Sequence, residues 1–227
     1  MVDFPMKTLT IDIWSDVMCP WCLVGWGNLR QALDRLEGEI AAEIRWRPFE
    51  LNPDMPPGGE EQEAHLRRKY GRSAAEGQAV REQMRAMAQE AGVSLEWQGD
   101  GEPPPAMMWN TFAAHRLLAW ALDSAGPERQ GALKLALFAA HFHHRRPIGD
   151  EDVLLDVAEE AGFDRAAARA ALDDAALAAR VRAEQRQALD LNIAGVPAMV
   201  IAGKFLVPGA QPADSYVNAL RRVAAKA

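Results

Sequence analysis

Two cysteines three positions apart, Cys19 and Cys22, lie in CPWC between a stretch of period two and a stretch of period near 3.6, and the chain has no other cysteine. That junction restricts the fold more than any other feature. Before it, Leu9, Ile11 and Ile13 alternate with Thr10, Asp12 and Trp14 over residues 8–14, which predicts a strand. After it, Trp26, Leu29, Leu33 and Leu36 recur at helical spacing and Gly38 can end the run. An amphipathic helix is predicted over residues 20 to about 37.

A second strand is predicted at 42–49, where Ile44 and Trp46 share one face, before a Pro/Gly-rich exit, RPFELNPDMPPGG. From about 60 to 190 the pattern is helical. Ser73 with Glu76 makes a capping box for a helix that Gly92 can close. Asp150 and Asp164 are N-cap candidates, with Gly162 as a stop between them. GDGEPPPA at 99–106 divides this helical block in two. Strand patterning returns at 198–202, turns at Gly203-Lys204, and runs back through 205–207 to a final helix at about 212–225. The order predicts an α/β fold whose sheet is interrupted by a helical subdomain: residues 1–59 and 191–227 form one discontinuous domain, and 60–190 an insertion.

A chain of 227 residues with 49% hydrophobic residues can bury a core without disulfides. A formal net charge of -7, with no concentrated basic surface, argues against nucleic-acid partners. No stretch reaches the roughly 18 apolar residues of a membrane span, and MVDFPMKTLTIDIW lacks the pattern of a secretory signal. One CxxC without a structural pair suits a reducing compartment, so a cytoplasmic location is expected.

On a helix, residues three apart place their Cα atoms roughly 5 Å apart, within the disulfide window. With Pro20 as the first helical residue, Cys19 falls at the N-cap and is expected to be the exposed thiol. Helix N-H groups and the dipole should pull its pKa below about 8.5, leaving Cys22 as the shielded, resolving thiol. Other readings stay open. Both cysteines could be small buried hydrophobes, or zinc ligands with the only histidine cluster, His141 to His144. His141 shares a helical stripe with Leu133 and Leu137 and is more readily placed in a core or cleft.

Four motifs in order, SDVMCPWCLVG, RPFELNP, MWNTFAAHRL and AGVPAMVI with VPGAQP, resemble the DsbA-like thioredoxin-fold proteins of the FrnE branch. That branch adjoins the 2-hydroxychromene-2-carboxylate isomerases and kappa-class glutathione transferases. The resemblance spans nearly the whole chain. It implies that residues 1–59 and 191–227 form a thioredoxin-like domain, a mixed sheet flanked by helices, with the insertion packed over the active site. It also implies a cis bond at Val196-Pro197 lying against the CPWC, where Val196 offers its backbone to an extended substrate. Asn110 and His115 fall in the segment that overhangs the site, as substrate-binding candidates; from the residues alone they read equally as a helix cap and a helix histidine. Trp21 is a substrate platform or a spacer.

The resemblance implies a thiol-disulfide oxidoreductase, a reductase or disulfide isomerase in which Cys19 attacks and Cys22 resolves. Its partners would be protein or small-molecule thiols and disulfides. The alternative is a glutathione-dependent isomerase or transferase, although those relatives typically carry serine in place of the first cysteine. A third reading is a binding module with idle cysteines. No metal or tightly bound cofactor is expected, glutathione is a candidate co-substrate, and the chain is expected as a monomer or a homodimer, with the homodimer not ranked above the monomer.

Overall fold

A computed structural model describes residues 6–71 and 73–226. In chain order it contains β1 (Lys7–Ser15), α1 (Pro20–Asp34), β2 (Ile40–Pro48), β3 (Glu60–Glu61), α2 (Gln62–Tyr70), α3 (Ala74–Glu90) and β4 (Met107–Met108). There follow α4 (Phe112–Phe138), a π-helical turn (Ala139–His143), α5 (Glu151–Glu160), α6 (Arg165–Asp173), α7 (Ala175–Asp190), β5 (Ala198–Ile201), β6 (Phe205–Pro208) and α8 (Ala213–Ala224). The four long strands form one mixed sheet in the order β2-β1-β5-β6, with β1 parallel to β2 and antiparallel to β5. This is the expected thioredoxin fold carrying a helical insertion.

Leu9, Ile11 and Ile13 of β1 point into the main core with Leu29, Trp46, Met199, Ile201 and Tyr216, as their alternation predicts. The opposite face of this central strand is covered too. Trp14 is buried with Ala188, Ile193, Ala198 and Val200, because the end of α7 and its exit loop pack there. Period two thus marks the faces of β1, but neither face near its C-terminal end meets water.

The insertion builds a second core around Leu117, Leu133, Leu137, Ile148, Leu154 and Val157. Val17 and Met18, immediately before CPWC, are buried in this second core rather than the first. The insertion therefore grips the loop that presents Cys19. It also completes the sheet edge: Gln130 of α4 accepts from Trp46 N at 2.8 Å and donates to Trp46 O at 2.9 Å. A buried edge strand would otherwise leave those backbone groups unpaired.

Several boundaries differ from expectation. The first helix ends at Asp34 rather than about 37, because Arg35 to Glu39 close as turns, with Gly38 at φ +79°. The second strand runs over 40–48 rather than 42–49, paired with β1 from Lys7 onward. The hairpin turn centres on Ala202 and Gly203, at φ +52° and +68°, with Lys204 N donating to Ile201 O at 3.2 Å. That is one residue earlier than Gly203-Lys204. The capping box of Ser73 and Glu76, the Asp150 and Asp164 N-caps and the positive φ of Gly92 and Gly162 match the expectation. α4 breaks at Gly126, φ +82°, where Pro127 restarts the helix.

Candidate active site

β1 delivers SDVM directly to the N-terminus of α1. Cys19 is the N-cap residue, Pro20 occupies the first turn, and Cys22 N donates to Cys19 O at 3.0 Å. Cys19 Sγ donates to Val196 O at 3.7 Å. The Val196-Pro197 bond is cis, and Pro197 lies against α1 at Gly25, where an added Cβ would meet Pro197 Cγ at 3.0 Å. The VPGAQP segment pins this loop. Gly209 N donates to Pro197 O at 2.8 Å, the buried Tyr216 hydroxyl donates to Gly209 O at 3.1 Å, and Asn28 Nδ2 donates to Gln211 O at 2.9 Å. Pro20, Trp21 and Val196 are half-buried around the thiols.

The expectation of an exposed, acidified Cys19 is overturned. Both cysteines are free thiols, 2% and 1% exposed. The hydrogen bond to Cys22, then burial and the negative charge of Asp16, push the Cys19 thiol well above its ordinary value. For Cys22, burial acts upward but is outweighed by the hydrogen bond from Cys19, the charge of Lys134 and the Ser15 hydroxyl, so its pKa is lowered. Burial and the Asp16 charge thus oppose the helix N-terminus at Cys19.

Beneath them is a buried charged group. Asp16 accepts from Leu51 N at 2.8 Å through Oδ2, while its Oδ1 faces His115 Nε2 at 3.6 Å. Each of those two facing atoms lacks a hydrogen-bond partner, as does Nζ of Lys134. Lys134 is 0% exposed and sits over the rings of Phe138 and Trp46, 4.8 and 5.2 Å from their centroids. Burial lowers its pKa to about 8, against the opposing pull of Cys22, Asp16 and Cys19. Burial alone would raise Asp16, but the interaction with His115, the Leu51 N-H and Lys134 bring its pKa below the usual carboxylate value. An ionised carboxylate and a poised lysine therefore share one dry compartment with Cys22.

Of the residues singled out from sequence, Cys19, Cys22, Pro20, Trp21, Val196 and Pro197 come together, and His115 joins them from below through Asp16. Asn110 is engaged elsewhere. Its Nδ2 donates to Met55 O at 3.3 Å and its Oδ1 accepts from Phe112 N at 3.0 Å, which ties the start of α4 to the exit loop of β2. His141 is 7% exposed at the π-helical turn, in the core-or-cleft position its stripe predicted. His143 Nε2 lies 2.9 Å from Ser94 O, and among the described residues no three of His, Cys, Asp and Glu gather as a metal site. Asp16 and Lys134 were missed. Asp16 stands three residues before Cys19, and Lys134 interrupts the apolar stripe of Leu133 and Leu137, a pattern that flags a buried charge.

A probable DsbA oxidoreductase from Streptomyces coelicolor is 33% identical, with 94% of this chain and 89% of that one covered and a TM-score of 0.81. A 2-hydroxychromene-2-carboxylate isomerase shares the fold at 18% identity and a TM-score of 0.64, over 94% of this chain and 95% of that one. So does the cytosolic disulfide reductase DsbM from Pseudomonas aeruginosa, solved with GSH, at 21% identity and 0.59, over 94% and 98% of the two chains. The family described as the DSBA-like thioredoxin domain matches residues 10–221, and with that match the chain belongs to the DsbA-like thioredoxin family.

Proposed function

We propose that the protein is a thiol-disulfide oxidoreductase in which Cys19 exchanges with substrate and Cys22 resolves the mixed disulfide. The observation that carries this reading is the arrangement of two free thiols over a buried Asp16, His115 and Lys134, with Cys19 facing the Val196 carbonyl. Idle cysteines in a binding module would not require unpaired charged atoms beneath them, since such atoms are costly to bury.

Cys19 Sγ attacks one sulfur of a substrate disulfide while its proton passes to the Cys22 thiolate. The other substrate sulfur leaves as a thiolate and is protonated by solvent. Cys22 then loses its proton to solvent, its thiolate favoured by the charge of Lys134, and attacks Cys19 Sγ, which releases the second substrate sulfur as a thiolate that solvent protonates and leaves a Cys19-Cys22 disulfide. The substrate has gained two electrons. A thiol pair such as two glutathione molecules returns the enzyme to the dithiol by the same exchange in reverse.

In a cytosolic glutathione poise the dithiol form is favoured unless the couple is strongly reducing, so a cytoplasmic protein would work as a reductase or isomerase. The cytosolic reductase DsbM, solved with GSH, supports glutathione as the co-substrate. Pro197 has no N-H, which leaves Val196 to supply the backbone contact for an extended thiol-bearing ligand. Asn110 is proposed to act through the position of the α4 N-terminus, and His115 through Asp16. The fold shared with the isomerase supports a second reading, glutathione-dependent isomerisation.

Trapping separates the two. Cys22→Ser incubated with oxidised glutathione should accumulate a glutathionyl adduct on Cys19, seen as a mass gain on the peptide containing residue 19. Wild type should instead proceed to the internal disulfide. Glutathione binding without any adduct would contradict the redox reading and favour the isomerase.

A further inference from the structure

The Val196-Pro197 loop has unlike surroundings on its two sides. On one it borders a cavity of about 400 Å³ lined by Ile193, Ala194, Leu206 and Pro208. This side belongs to the face of the sheet turned away from α8. Phe205 and Val207 of β6 pack into the main core with Tyr216, so Leu206 between them points to the opposite face, where Ile193 and Ala198 lie. The loop therefore has room on this side and is held from the other. There a chain of hydrogen bonds leads from α8 to the thiol. The completely buried Tyr216 donates through its hydroxyl to Gly209 O at 3.1 Å and accepts from Gln211 N at 3.2 Å. Gly209 N donates to Pro197 O at 2.8 Å, and the adjoining Val196 carbonyl accepts from Cys19 Sγ at 3.7 Å. Asn28 Nδ2 of α1 donates to Gln211 O at 2.9 Å and ties the same segment from a second helix. A buried tyrosine needs one partner for its hydroxyl. Tyr216 has two, and both belong to the segment that holds Pro197. Burial raises its pKa to about 12, so the hydroxyl remains a donor throughout the range in which thiols exchange.

We propose that Tyr216 is a positioning residue: its hydroxyl fixes the Val196 backbone beside Cys19, and so sets the preference for disulfides that carry amide groups over those that do not. The inference rests on the reading of Val196 as the backbone contact for substrate. Its basis is geometric. A backbone hydrogen bond weakens steeply once donor and acceptor fall out of line, and a small misplacement of a reacting group is costly in rate. Without the hydroxyl, Gly209 O and Gln211 N lose their tie to α8, and the loop relaxes toward the cavity beyond Val196. A disulfide with amide groups then docks less well against Val196. One that has no amides makes no such bond and is indifferent to the change.

The test compares two disulfides on the full-length Cys22→Ser protein. Cys19 gives its proton to solvent, displaces one thiolate from the disulfide and keeps the other half as an adduct, whose rate of formation is followed by mass spectrometry. The disulfides are oxidised glutathione and hydroxyethyl disulfide, which has no amide, each rate divided by that of free N-acetylcysteine. The Cys22→Ser protein should prefer oxidised glutathione. Adding Tyr216→Phe should lower that preference about fivefold, the factor for one hydrogen bond of typical net worth, and leave the hydroxyethyl disulfide rate unchanged. A role confined to stability would lower the melting temperature and leave the ratio of the two rates in place. Asn28→Ala frees Gln211 O from α1 and should shift the ratio in the same direction; it decides the question by the same ratio if Tyr216→Phe does not fold. No preference in the Cys22→Ser protein, or a preference that the folded variant leaves untouched, overturns the positioning role while the thiol chemistry stands. No adduct with either disulfide overturns the redox reading, and the positioning role with it.

Discussion

Replacing Lys134 by methionine should make the protein more stable at neutral pH and less able to exchange thiols. The ammonium is completely buried, lies over two aromatic rings and has no hydrogen-bond partner. Its pKa falls from 10.5 to about 8, and at about 1.36 kcal/mol per pH unit that gap corresponds to about 3 kcal/mol of cost for keeping it charged. Below pH 8 the lysine is protonated in the folded and unfolded states alike, so the wild type bears the whole cost. Between pH 8 and about 10.5 the unfolded chain still holds the proton that the folded protein has released, and wild-type stability rises with pH. Methionine, similar in length and uncharged, has no such dependence. The advantage of Lys134→Met should therefore be up to about 3 kcal/mol at pH 7, less what Asp16 loses when its cation goes, and should vanish by about pH 10.5. Urea denaturation at pH 7 and pH 10.5, in a Cys19→Ser/Cys22→Ser background, isolates the effect. Without the thiolates the lysine pKa falls further, so the pH dependence can only grow. In the cysteine-containing protein the Cys22 pKa should rise, read as thiolate absorbance against pH. If Lys134→Met is destabilising by the same amount at both pH values, the lysine is not a desolvated charge and the account of the buried group is wrong.

His141, with a pKa of about 4 against 6.5 when unfolded, contributes stability that is complete above pH 6.5 and is lost as pH falls toward 4. His141→Gln should flatten the acid limb of a stability profile measured by urea melts between pH 4 and 7; an unchanged slope would contradict the burial argument. Gly27 lets α1 touch the end of α3, where an added Cβ would sit 2.4 Å from Ala91 O. Gly27→Ala should cost about 1–3 kcal/mol through overpacking, seen in thermal melts, whereas Gly38→Ala, with open space around it, should show only the smaller penalty of its positive φ.

The strands and helices of the thioredoxin domain were legible because their signals are local: alternation in Leu9 to Ile13, a proline after Cys19, a capping box at Ser73, glycines at 92 and 162. The resemblance of four ordered motifs supplied the cis bond at Val196, which no local rule gives. The electrostatics of the site were not legible. They depend on Asp16, His115 and Lys134 meeting across about a hundred residues of chain, and on an insertion whose core takes in Val17 and Met18 beside the thiols. A helix-dipole argument sees only the backbone of α1, so it placed the lower pKa on Cys19 when the buried lysine favours Cys22. The Gly126 break and the π turn were hidden for a related reason: each is an irregularity inside an apolar run that continues on both sides.

The central claim is that Cys19 and Cys22 form a working redox couple. Equilibrating the purified protein across glutathione redox buffers, with free thiols and Trp fluorescence as readouts, tests it directly. The account predicts one reversible two-electron transition, absent in Cys19→Ser and in Cys22→Ser, with two thiols lost together. Thiols that stay free across the whole range, or titrate one at a time without forming an internal disulfide, would contradict it.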